Sequence, residues 1–224
     1  MEPSARELAF LRARTRRRVR LAQIVWMQFR DLGVRGLGAA ALLAACALPL
    51  TRFENKRALW IVASVMPVAA LTVASGLGGA RRHGMAELEG ASRFSARLLR
   101  CVRLFVCGLL GLALCAGVAL GLRGRSALGG FGTLALLGWP YLLTTWACMR
   151  VTRKVRGPED IHYCMAAGAV VACLPTLLRT MAEQAGAASP APLSAGLFAA
   201  ALALTALEGF KYIKESEGCA WSLC

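Results

Sequence analysis

Few residues in this chain have the type and spacing needed for chemistry. The only histidines are His83 and His162, both expected at the inner surface. Neither belongs to an H-E-x-x-H pair, so the chain shows no zinc-protease motif. No G-x-x-x-x-G-K-[ST] loop is present to cradle a nucleotide, and no G-x-S-x-G elbow to carry a serine nucleophile. Seven of the nine cysteines fall within or beside apolar runs, where a thiol acts as a small hydrophobe. Cys219 and Cys224 have no histidine nearby, so neither a metal site nor a disulfide framework is expected. With no catalytic constellation and no cofactor motif, the chain itself is not expected to be an enzyme.

Three features remain. The first is Glu208, the one acid inside an apolar run. A carboxylate in a membrane can couple proton movement, but Glu208 sits near the run's end, close to Lys211, so a residue reaching headgroup water is the favoured reading. The second is Trp139-Pro140-Tyr141, halfway along another run. Pro140 kinks a helix, and both aromatics carry donors that need partners in hydrocarbon. They mark either a pathway surface or packing around a kink, the latter weighted more heavily. The third is Arg81–Arg103, where Glu87, Leu88, Glu89, Arg93, Phe94 and Arg97 mix both charges with apolar residues. Lipid adhesion alone asks for basic residues. Mixed charge sets the register of a soluble partner.

The elements that position these residues follow from hydropathy. The 224 residues are 57% hydrophobic with a mean hydropathy of +0.55, yet the net charge is +15. Such basic excess suits nucleic acid or an anionic membrane surface, and the long apolar runs decide for the membrane, with no nucleic-acid partner. Six runs approach the roughly 20 residues needed to cross a bilayer as helix: Val34–Leu50, Ala58–Leu77, Val102–Leu122, Leu128–Met149, His162–Leu178 and Pro192–Phe210. Their continuous apolarity argues against barrel strands, which would alternate. The expected fold is all-α, a polytopic membrane helix bundle of six spans.

Charge gives the orientation. Nine arginines before or at the start of the first run, six in the second loop, four basic residues in the fourth and two lysines after the sixth lie on one side. Six lie on the other. The positive-inside rule then puts both termini in the cytoplasm of a multi-pass protein of the cytoplasmic (inner) membrane. Residues 1–33 read as a basic helix lying in the interface, with Trp26 and Phe29 among its apolar residues. Residues 34–210 form the six-span domain, and 211–224 a cytoplasmic tail. Small residues four apart, Gly36, Ala40 and Ala44 in the first run and Gly117 and Gly121 in the third, permit close helix approach within the chain or across a dimer.

The segment from Gly84 to Leu104 resembles the stretch between spans two and three of type-2 ABC exporter permeases. The order is similar: Gly84 and Glu87-Leu88-Glu89, then Ser92-Arg93-Phe94-Ser95, then Arg100 and Arg103. It departs from that pattern in having Arg81-Arg82 where an acid is usual, and in lacking the turn proline. The resemblance implies a coupling helix within 80–101 and a separate ATP-binding-cassette ATPase subunit docked on Glu87, Leu88, Glu89, Arg93, Phe94 and Arg97. It also implies pairing with an identical or related permease chain, and export of an amphipathic, lipid-like or peptide cargo. The alternative is a non-transporting membrane scaffold or regulator that recruits a cytoplasmic partner to the same surface.

Overall fold

The computed structural model describes residues 25, 26, 29, 30, 34, 38, 41, 55–74, 96–121, 129–155, 159–184 and 191–221. Among these, all regular structure is helical. The long elements are α1 (Asn55–Ala74), α2 (Ala96–Gly121), α3 (Gly129–Lys154), α4 (Asp160–Gln184) and α5 (Ala191–Trp221). They fall on the second to sixth apolar runs. Of the first run only Val34, Gly38 and Ala41 are described, all helical.

Three helices contain stretches long and apolar enough to cross a membrane: Cys101–Gly121, Asp160–Met181 and Pro192–Lys214. About a fifth of each stretch is buried within the bundle. Phe105, Leu112, Val170, Met181, Leu207 and Phe210 are all exposed. Contiguous apolar surface on this scale marks a membrane-facing exterior. The apolar part of α1 is shorter, Leu59–Ala74.

Helix ends differ from the apolar runs where charge takes over. The fifth run, His162–Leu178, is short by hydropathy, but α4 extends it at both ends, through Asp160 and on to Gln184. Asp160 in its first turn opposes the positive end of the helix dipole. Likewise α5 runs unbroken past Phe210 to Trp221, so residues 211–221 continue the helix rather than forming a separate element. Helix α3 starts at Gly129, whose φ of 70° is a conformation glycine adopts without Cβ strain.

Two apolar clusters define how the helices run. One joins Leu59–Ala69 of early α1 to Cys115 of late α2 and to Leu136 and Leu137 of early α3, with Leu178 of late α4 against it. The other joins Val73 and Ala74 at the end of α1 to Val102, Val106 and Cys107 of early α2. Cys148 and Met149 of late α3 and Cys164 of early α4 complete it. Successive helices therefore alternate in direction, and Val25 from the N-terminal segment packs at the second end. Helix α3 is the centre: it packs on α5 most extensively, then on α1, α4 and α2. Helix α2 is peripheral, with limited contact to α3, α5 and α1.

Candidate functional site

The central position of α3 follows from its side chains. It is as long as α2 but is not among the three most apolar helices. Thr133, Thr144, Thr145 and Thr152 are buried along it, and each hydroxyl donates to a carbonyl one turn earlier: Gly129, Pro140, Tyr141 and Cys148 at 2.8 to 3.0 Å. In hydrocarbon an unsatisfied polar group costs several kcal/mol, on the order of 4–8 for transfer to an alkane. These threonines cancel that cost internally, so α3 can sit among other helices without needing water.

Trp139, Pro140 and Tyr141 lie together in this buried section. Pro140 has no N–H, so the turn around it lacks one ladder bond. The Tyr141 hydroxyl donates to the Cys107 carbonyl of α2 at 3.1 Å. Its ring occupies the space above Gly111, where a Cβ would collide with it. The same device recurs one turn earlier on α3. A Cβ at Gly138 would meet the Phe198 ring of α5 at 2.5 Å. Between α4 and α1, a Cβ at Gly168 would meet Leu71 at the same distance. Large side chains seated on glycines bring the helix backbones close, and dispersion then holds them where the bilayer supplies no hydrophobic drive. Gly117 and Gly121, in contrast, are exposed with open space before them.

Tyr141 is thus fully used in packing, but Trp139 is not. Its indole is 3% exposed, and Nε1 has no hydrogen-bond partner among the described residues. A donor left unpaired in a buried helix section costs roughly 1–3 kcal/mol. It is the polar atom in the α3 interior that packing does not explain.

Glu208 differs from its sequence reading. It does not reach outward beside Lys211 but is 5% exposed, paired with Arg153 of α3 at 2.5 Å. The partners are 55 residues apart, so local sequence held no sign of the pairing. Nearby, the Thr205 hydroxyl of α5 lies 2.6 Å from the Ala201 carbonyl and 3.1 Å from that of Leu142, its one proton shared between its own helix and α3. Phe198 on Gly138, Thr205 on Leu142 and Glu208 on Arg153 thus stitch α5 to α3 in parallel register. At the same end Arg150 stacks over Trp146, 5.4 Å from the ring centroid.

Glu87, Leu88, Glu89, Arg93 and Phe94 lie outside the described residues, as do Gly36, Ala40 and Ala44. Arg97 belongs to the first turn of α2. Helix α2 thus begins five residues before its apolar stretch opens at Cys101. No group of three or more His, Cys, Asp or Glu able to hold a metal occurs among the described residues. No family model, curated protein or solved structure matches the chain.

Proposed function

We propose that the chain is the six-span permease subunit of an ATP-driven exporter of the ABC type, with both termini in the cytoplasm. A separate ATP-binding subunit docks on the 81–103 loop. The observation that carries this reading is the mixed-charge segment Glu87–Arg97 feeding directly into α2. Because α2 begins at Ala96, Arg97, Arg100 and the membrane stretch from Cys101 belong to one rigid helix. A partner gripping the loop therefore holds the end of a lever about 39 Å long at 1.5 Å per residue. That lever joins the bundle through Val102, Val106 and Cys107 in one apolar cluster and Cys115 in the other, through Tyr141 seated on Gly111, and through the bond from Tyr141 to the Cys107 carbonyl.

Movement of α2 then acts on Tyr141, next to the Pro140 kink and the unpaired Trp139 donor. Kinks and unsatisfied polar groups at mid-depth are where transporters place cargo contacts and conformational change. This chain's residues bind, couple and move; hydrolysis belongs to the partner.

The test is isolation from native membranes in mild detergent. An ATP-binding-cassette subunit should accompany the chain and be lost in Glu87→Arg. A compensating charge reversal in that subunit should restore both association and transport. Recovery of the chain with a different cytoplasmic protein on the same loop, and none of the ATPase, would replace the exporter reading with that of a recruiting scaffold.

A further inference from the structure

Helices α4 and α5 both pack on α3, and neither packs extensively on the other among the described residues. The flank of α3 between them is a cleft in the sense that, among the described residues, no extensive packing of α4 on α5 closes it. At 100° per residue, Trp146, Arg150 and Lys154 form one stripe of α3, turned away from Tyr141, which faces α2. On α5, Leu204 and Lys211 are seven residues apart on one stripe. They lie on the opposite flank of Glu208 from Gly209, whose added Cβ would meet Leu104 of α2. Because α3 and α5 run parallel, both stripes border the same cleft on the side away from α2.

The levels agree as well. Arg153 and Glu208 are paired, Lys154 follows Arg153 by one residue, and Lys211 follows Glu208 by three. The two lysines thus differ in depth by about 3 Å, across an interaxial gap of about 8–10 Å. Arg150, Lys154 and Lys211 are all exposed. Glu208, the nearest acid on α5, is already engaged by Arg153. Arg150 does not extend away from the membrane; it lies back over Trp146, toward the hydrocarbon. Deeper along the cleft wall, on the stripe of Lys211, Leu204 is exposed.

We propose that this cleft mouth is a binding site for one anionic phospholipid. Its phosphate sits among Arg150, Lys154 and Lys211, and an acyl chain lies along Leu204. The charge is complementary, and the cation-over-indole arrangement sets a positive group at the depth of the phosphate and glycerol. The site is distinct from diffuse attraction to the basic N-terminal segment. It does not rest on the exporter reading; it requires only that these helices cross a bilayer.

The experiment is native mass spectrometry of the intact chain purified in detergent, with phosphatidylglycerol or phosphatidylcholine added. One retained phosphatidylglycerol per chain is expected, in preference to phosphatidylcholine. Lys154→Gln and Lys211→Gln should each weaken retention about fivefold, the worth of roughly one kcal/mol per cation near the membrane surface. Lys214→Gln, which removes the same charge from the face of α5 turned away from α3, should leave it within twofold. Equal losses in all three variants would overturn the site in favour of diffuse electrostatics. So would equal retention of the two lipids, or binding of inorganic phosphate that displaces the lipid at equal concentration. Circular dichroism and gel filtration of each variant establish that the fold is intact before lipid is scored.

Discussion

The Arg153–Glu208 pair offers the sharpest quantitative test of the bundle. Two unit charges about 4 Å apart attract by about 4 kcal/mol at an effective dielectric constant near 20. Desolvation takes back much of this, leaving an expected coupling of about 1.5–3 kcal/mol. The two partners are not equivalent. The Glu208 side chain is 7% exposed and short, while that of Arg153 is 20% exposed on a long stem. If Glu208 becomes glutamine, Arg153 can swing its head toward the interface, so Glu208→Gln should cost about 1.5–3 kcal/mol. If Arg153 becomes glutamine, the carboxylate has no comparable escape, and the cost should rise to about 3–5 kcal/mol. The double variant should lose less than the sum of the two. The assay is reversible unfolding in mixed micelles, run as a double-mutant cycle. Additivity within about 0.5 kcal/mol would refute the pairing. A larger loss for Glu208→Gln than for Arg153→Gln would refute the reasoning from exposure.

Other expectations follow from the glycine seats and the buried hydroxyl. Gly111→Ala should cost about 1–3 kcal/mol in the same assay, because the Tyr141 ring it strikes is tied by its hydroxyl and cannot swing clear. Gly117→Ala, two turns along the same helix with open space before it, should be neutral or stabilising by up to about 1 kcal/mol. Tyr141→Phe removes one bond between α3 and α2 and should cost about 0.6 kcal/mol, the average for such bonds within membranes. If α2 is the lever described above, that variant should also lower transport more than it lowers stability, measured as cargo flux per folded chain.

The apolar runs located the five long helices because hydrocarbon demands continuous apolarity, which the sequence records residue by residue. They did not locate the helix ends. Asp160 at the start of α4 and the residues of α5 beyond Phe210 are held by dipole and backbone hydrogen bonding, which hydropathy does not register. Helix pairing was also hidden. Sequence spacing placed Glu208 beside Lys211, three residues on, whereas its partner is 55 residues away on the neighbouring helix. The small-residue pattern was read at Gly36, Ala40 and Ala44, outside the described residues, and at Gly117 and Gly121, whereas the described glycines that closely seat a neighbour are Gly111, Gly138 and Gly168. Spacing of small residues says where approach is permitted, and only the opposing side chain says where it happens. Tyr141 and Trp139 were both marked as donors needing partners; Tyr141 found one on α2, and the indole did not.

The central place of α3 has a consequence for how the chain enters the membrane. Segments leave the ribosome in order, so α3 is made before α4 and α5. It emerges with Trp139, Tyr141 and buried threonines that a solitary helix would show to lipid, and it is less apolar than the helix before it or the two after it. A solitary α3 is therefore less suited to lipid than the helix before it or the two after it. A nascent chain stopped at Lys154 lacks Phe198, Thr205 and Glu208, the three contacts that fasten α5 to α3. Among the described helices, the contacts that cover this face of α3 are complete only once α5 has been made.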